Sequence, residues 1–387
     1  MPGSRILMES KGCTRRQFVS RAGGALVCAA SAPGRLTRQA FAQQVTSRAH
    51  QVTIGTFGPS HCATSIVFSS LRGLFKDAGI NVRLINYDDM GRIAVDLING
   101  DLDFGQLVVP LVLAMQTGAA PFGVPTPMAV CQIGGTNGAA LMVRKGANIQ
   151  SPEDFRGKVM ANHSKLSVHY LITMMFLETH GISYQSDVVF KRVKLDDILH
   201  AVETGEVDSF VMPEPKNALA ELKGIADVFL LSKYIWPNHP CCALATRMEY
   251  LEKNRELVAD VIRVTTRSAL YVNRTETREE VVDIIRSVPD FNYDKVPGAA
   301  LLKAFTPGRS DFYPFPYASS GQLIAEIMKK YQLLPLDTNE MILARDVFQS
   351  ELSRKIIAEL GEEPPESNYR IEKVLGNLKS YSDSRLD

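Results

Sequence analysis

Beyond residue 42 the chain carries four cysteines, Cys62, Cys131, Cys241 and Cys242, and the last two are adjacent. An even thiol count in an oxidising compartment invites a disulfide framework, but a chain of 387 residues needs no such staples, and neighbouring cysteines rarely bridge because the peptide between them would be strained. The thiols need another account. Thiolate, imidazole and thioether together select copper(I), zinc and other thiophilic metals, and His61 directly precedes Cys62 while His239-Pro240 directly precedes Cys241. The same residues also have plain uses. Cysteine is among the most buried residue types, Met90 can fill a gap against the helix that follows it, His239 before a proline suits a turn, and His61 stands where a helix opens.

Other chemistries find less support. The stretch Gly134-Gly135-Thr136-Asn137-Gly138 lacks the Lys-Ser/Thr of a phosphate loop and opens no helix, so it is no nucleotide cradle. Asp88-Asp89 and Glu214 have no spacing that defines a general acid–base pair, and Asp88 reads as a helix cap. No Ser-His-Asp site can be built from local sequence. Lys165 is a candidate ligand-reading cation, in the loop that opens a helix over Ser167–Thr179.

The elements that must hold these residues alternate between β and α. Strands are expected at Val52–Thr56, Val82–Ile85 and Leu102–Gly105, with helices at Pro59–Lys76, Gly91–Ile98 and Leu107–Gln116. This order implies a mostly parallel sheet covered on both faces. After strands Met128–Ile133 and Ala140–Val143 the pattern restarts. Ser151-Pro152 starts a short helix, and strands Val159–Ala161, Val188–Val193 and Ser209–Met212 alternate with helices Ser167–Thr179 and Asp196–Glu203. From Arg247 the chain reads as helical, over Asn254–Val272, Glu279–Arg286, Gly321–Tyr331 and Thr338–Leu360, and the polar end 366–387 reads as a flexible tail.

The first 42 residues differ from the rest. Arg15-Arg16 begins a twin-arginine pattern, an apolar run over Ala25–Ala30 follows, and Ala40-Phe41-Ala42 is a small-x-small cleavage site. This predicts a Tat signal peptide ending at Ala42 and a periplasmic destination. Its removal leaves 36 basic and 41 acidic side chains, a formal net charge of −5, which argues against nucleic-acid binding. No stretch approaches the roughly 18 consecutive apolar residues of a membrane span.

Several stretches together resemble the ABC-transporter periplasmic substrate-binding proteins for nitrate, sulfonate and taurine: LRGLFKDAGI at 71–80, INGDLDFG at 98–105, SPEDFRGK at 151–158 and GEVDSFVMPEP at 205–215. IWPNHP at 235–240, EKNRELVADVI at 252–262, YPF at 313–315 and KKYQLLP at 329–335 are most similar to the nitrate- and bicarbonate-binding branch. The resemblance implies an α/β type II periplasmic-binding-protein fold, with lobe 1 from 43–140 plus 240–365, lobe 2 from 141–239 and a ligand cleft between them. It implies capture of a small, anionic or sulfur-containing solute for the permease and ATPase subunits of an ABC importer. Cleft loops of such receptors, including helix N-termini, suit small anions, and the ligand-binding candidates there are His61, Met90, Asn137, Lys165, His169, Pro213, Glu214 and Cys242.

Carried over by position, the nitrate pocket is not kept. The family's aromatic residue falls on Met90, its glutamine on Ala139, its glycine before Glu-Pro on Pro213 and its lysine on Cys242, and only the histidine remains, as His169. The donors that would hold nitrate are missing. By the same placement Met90, His169, Cys241 and Cys242 converge on one cleft, with His61 and Cys62 in the first loop. The thiamine-pathway pyrimidine synthases, which share this fold, carry a cysteine-rich iron motif just before the segment matching Tyr250–Ile262, although its flanking cysteines are absent here. The alternative expectation is therefore a metalloprotein or metalloenzyme with copper or iron at Met90, His169, Cys241 and Cys242, acting on a small sulfur compound such as thiocyanate.

Overall fold

A computed structural model describes residues 51–375, 377–379 and 381. The signal peptide expected over 1–42, with Arg15, Arg16 and Ala42, lies outside the described residues. Strands are labelled β1 (Val52–Thr56), β2 (Val82–Asn86), β3 (Phe104–Val108), β4 (Met128–Asn137), β5 (Ala139–Arg144), β6 (Val159–Asn162), β7 (Val189–Arg192), β8 (Ser209–Pro213), β9 (Ala226–Leu231), β10 (Pro240–Arg247), β11 (Ser310–Asp311), β12 (Glu372–Val374) and β13 (Asn377–Lys379).

Two α/β sheets form, of order β11-β4-β10-β3-β1-β2 and β7-β6-β8-β5-β9. They are mixed, where the repeating β-α pattern predicted mostly parallel ones. β1 runs parallel to β2 and β3, but β10 enters antiparallel between β3 and β4. In the second sheet β5 runs antiparallel to both of its neighbours. The cause is the pair of crossovers. The chain leaves the first sheet at Gly138 and returns through residues 232–239, so each strand next to a crossover enters against the direction set by the β-α-β units.

Apolar residues pack helices onto both sheets. Val258, Val261 and Ile262 of the Arg255–Asn273 helix share a core with Ile54, Phe104, Cys131 and Leu244. Cys131 is part of that packing, and burial pushes its thiol up to about 12. The Val168–Thr179 helix is apolar around most of its circumference and buried from Val168 to Leu177, as a helix enclosed on all sides should be. The helix expected over Pro59–Lys76 is broken at Gly73, which takes φ +72°. That expected over Thr338–Leu360 is broken at Phe348, whose extended backbone bridges Val130. No helix among the described residues is long and apolar enough to cross a membrane.

The C-terminal end differs most from expectation. Over its described residues the expected tail is structured, because β12 and β13 form a hairpin that places Glu372 in the interior, 1 % exposed. The Glu372 carboxylate accepts hydrogen bonds from Trp236 Nε1 at 2.8 Å and from the hydroxyls of Ser319 and Ser320 at 2.8 and 2.7 Å, and Arg370 pairs with it at 3.0 Å. The two serines sit in the first turn of the Ala318–Lys330 helix, where the helix dipole also favours a negative charge. A buried carboxylate with this many donors holds the segment down, and a reading of polar composition alone misses it.

Candidate functional site

Regular strands alternate side chains between faces, so Cys241 and Cys242 should point apart. Against β4, however, the register of β10 shifts between Pro240 and Cys242 and again between Cys242 and Ala243. Such a bulge re-aims a side chain. Both thiols are buried, line one cavity and stand 4.0 Å apart. Cys62 reaches the same place from the turn after β1. The Ser60 hydroxyl caps that turn by accepting from Ala63 N, and Gln106 Nε2 donates to it in turn.

The cavity lies where the two sheets meet. Cys62, Met90, Cys241 and Cys242 face it from the first, and His163, His169 and Pro213 from the second. Its volume is about 10 Å³, room for roughly one water. His169 Nε2 stands 3.8 Å from Cys241 Sγ, across the boundary between the sheets, and the His163 and His169 rings are 5.2 Å apart. His61 Nε2 is 3.2 Å from Cys62 Sγ, and the ligating atoms of His61, Cys62 and Cys241 all lie within 4.8 Å of one another.

Burial sets the charge state. Desolvation takes His163 down to about 4, His169 well below its ordinary value and His61 below it too, so these imidazoles are neutral. Among the three thiols, Cys242 is the most acidic because Cys241 and Cys62 both donate to its sulfur. Cys62 is pushed up by burial, and Cys241 is pushed up by its bond to Cys242. Nδ1 of His61, His163 and His169 is buried with no hydrogen-bond partner. Among the described residues no Lys or Arg lines the cavity. The site is a cluster of soft and neutral donors beside a thiol poised to ionise, and it offers no fixed positive charge to an anion.

The structure thus brings together Met90, His169, Pro213, Cys241 and Cys242, with His61 adjoining them. Three candidates fall elsewhere. Lys165 is exposed and outside the cavity. Asn137, at φ +58°, joins the two crossovers: its amide donates to Asp311 and accepts from Asn238 N, each at 2.8 Å. Glu214 is wholly buried and paired with Arg309 at 2.6 Å, while the other arm of that guanidinium holds Glu221 at 2.6 Å. Asn137 and Glu214 therefore brace the segments that link the two sheets. The helix cap assigned to Asp88 is made by Asp89, whose carboxylate accepts from Arg92 N. His163 was missed, although it sits six residues before His169 in the loop ahead of the same helix. Cys62 also lines the cavity, although family position alone confines the metal set to Met90, His169, Cys241 and Cys242. His239 bonds Ser232 through Nε2 and supports the second crossover.

The glycines of 134–138 form the floor under Cys62 and His61. A Cβ on Gly134 would lie 2.6 Å from Cys62 O, and one on Gly135 would lie 2.7 Å from the His61 ring. This close approach of backbone to side chains, not phosphate binding, explains the glycine run. A larger cavity of about 340 Å³ lies beside Tyr313, Tyr317 and Arg370. Its one guanidinium already serves Glu372 and Asn238 O, and it holds none of the thiols.

Comparison with known proteins follows the fold. The model of the NMT1-like family matches residues 46–286. The nitrate import ATP-binding protein NrtC of Synechococcus elongatus is 24 % identical over 342 residues, covering 81 % of this chain and 51 % of that protein, so the chain spans about half its length. The nitrate/nitrite binding protein NrtA of Nostoc sp. is 22 % identical over 365 residues, 84 % of this chain and 81 % of NrtA. Among solved structures, the periplasmic nitrate-binding protein NrtA from Synechocystis PCC 6803 superposes with a TM-score of 0.77 at 17 % identity, over 84 % of this chain and 94 % of that one. The alkanesulfonate-binding protein SsuA from Xanthomonas axonopodis pv. citri gives 0.62 at 16 %, over 77 % and 97 %. These likenesses show a shared two-lobed fold.

Proposed function

The chain belongs to the NMT1-like family, and from that premise we propose that it is a solute-binding protein, which closes two lobes about a small solute and hands it to the permease and ATPase subunits of an ABC importer. The observation that carries this reading is the cavity itself, whose walls come from both sheets, with His169 of one facing Cys241 of the other at 3.8 Å. A site completed only by bringing two lobes together rewards closure, because the solute gains its full set of contacts in the closed state alone. Relatives described as nitrate import and nitrate-binding proteins support the importer partners and a periplasmic location.

A copper- or iron-dependent enzyme on this scaffold is not favoured. The relatives are binding and import proteins, and a space of about 10 Å³ cannot hold a metal and a substrate side by side. Small-angle scattering of the purified chain, with and without nitrate, thiocyanate, ethanesulfonate or copper(I), tests the receptor reading. A fall in radius of gyration with one of these solutes is expected, and an unchanged radius with all of them would sink it.

Delivery by the twin-arginine route belongs to the same proposal. Replacing Arg15 and Arg16 together by lysine should leave precursor in the cytoplasm, still carrying residues 1–42. Normal export of that variant, cut after Ala42, would show another route.

A further inference from the structure

The resemblance to nitrate and sulfonate receptors leads one to expect an anion in the cleft, yet its lining has the wrong charge and the wrong size for one. Three thiols, two imidazoles and a thioether surround a space of about 10 Å³, and no Lys or Arg lines it. A three- or four-atom oxyanion would have to replace its hydration with donors that are not there.

The spacing instead suits a bare ion. Around an ion bonded at about 2.0–2.3 Å to three or four sulfur and nitrogen donors, neighbouring donors lie about 3.3–4.0 Å apart. Cys241 Sγ stands 3.8 Å from His169 Nε2 and 4.0 Å from Cys242 Sγ, and Cys62 Sγ is within 4.8 Å of Cys241 Sγ. No carboxylate lines the cavity, so the oxygen ligands preferred by hard cations are lacking. Met90 at the rim separates the soft candidates. Thioether sulfur is a ligand for copper(I), whereas zinc takes thiolate, imidazole and carboxylate. The Nδ1 atoms of His163 and His169 are buried with no hydrogen-bond partner, polar atoms whose need a bound ion would meet.

We propose that the solute captured by this receptor is a single thiophilic cation, copper(I), held by the sulfurs of Cys62, Cys241 and Cys242 from one lobe and by His169 from the other, with Met90 at the rim selecting against zinc. This deepens the receptor reading and rests on it. One thiol gives its proton to solvent as copper(I) binds, which leaves the filled site neutral, and the ion keeps its oxidation state, so the step needs no redox partner. Phe57, Val108 and Leu195 close the apolar wall, which keeps water from competing for the ion.

The test is anaerobic titration of the reduced full chain with copper(I) against a chromogenic copper(I) chelator, with zinc(II), nitrate and thiocyanate in parallel and scattering recorded throughout. One equivalent of copper(I) is expected, with a near-ultraviolet sulfur-to-copper band. Cys62→Ser and Cys241→Ser should each weaken binding by more than about 100-fold, beyond the roughly 10–100-fold that loss of a supporting partner costs. Because those variants can also disturb folding, Met90→Leu serves as the second probe: it keeps the apolar volume and should lower copper(I) affinity about tenfold while leaving zinc(II) unchanged. No copper(I) retained against the chelator, a preference for zinc(II), or wild-type copper(I) affinity in both cysteine variants would overturn the proposal. Compaction with nitrate or thiocyanate and none with copper(I) would overturn it and leave the receptor reading standing. Copper(I) bound at Cys62 and Cys241 without compaction would keep the site and remove the receptor reading.

Discussion

Arg309→Met should lower the unfolding free energy by about 3–5 kcal/mol, the usual cost of removing one partner from a buried ion pair. Arg309 is 7 % exposed and holds Glu214, which is wholly buried, and Glu221. Methionine fills much of the same volume but leaves two carboxylates facing each other without a counter-charge. The pH dependence follows from Glu214. Burial raises its pKa even with Arg309 pulling the other way, and loss of the guanidinium raises it further. For an acid whose folded pKa lies above its unfolded value, stability is lost as the pH rises through the folded value and regained as it falls. The defect should therefore be larger at about pH 8 than at about pH 5. Urea melts at both pH values decide it. A cost below about 1 kcal/mol at the higher pH, the level of a surface pair, would show that the pair does not brace the crossover.

Gly138→Ala should be nearly as damaging, through sterics instead of charge. Gly138 takes φ +70°, and a Cβ there would lie 2.0 Å from His61 Nε2 and 2.3 Å from its Cε1. The left-handed backbone costs an L-residue about 1–2 kcal/mol, and forcing atoms into packed space costs about 1–3 kcal/mol more. His61 is wholly buried, so its ring cannot swing into solvent. Adding His61→Ala to Gly138→Ala should recover the packing part and leave the backbone part, a coupling that a double-mutant cycle reads from thermal or urea melts. Equal loss in both variants would mean that the ring yields without cost.

Much of the framework was legible because it is local. β1 falls on Val52–Thr56 as its β-branched residues indicate, and Ser167 caps the Val168–Thr179 helix with its own hydroxyl. The softness of the site was legible too, since Met90, His169, Cys241 and Cys242 were seen as a set through family positions. What escaped depends on pairing between distant segments. No local pattern places β10 antiparallel in the middle of the first sheet, and nothing in Pro240-Cys241-Cys242 announces the register shift that turns both thiols to one cavity. Glu214 looked like a ligand residue because its loop ends a strand at the cleft, but its partner Arg309 lies 95 residues away. Lys165 followed the same logic and points away. Cys62 and His163 needed the three-dimensional arrangement to show that they line the same cavity.

The donors are shared out between the two sheets, Cys62, Cys241 and Cys242 on one and His169 on the other. In the proposed receptor, parting of the lobes would remove the imidazole and the enclosure in a single movement, so the lifetime of the bound solute and the dwell time of the closed form would become one quantity. In that proposal an importer that pried the lobes open would set the off-rate itself, and tight capture would not mean slow delivery.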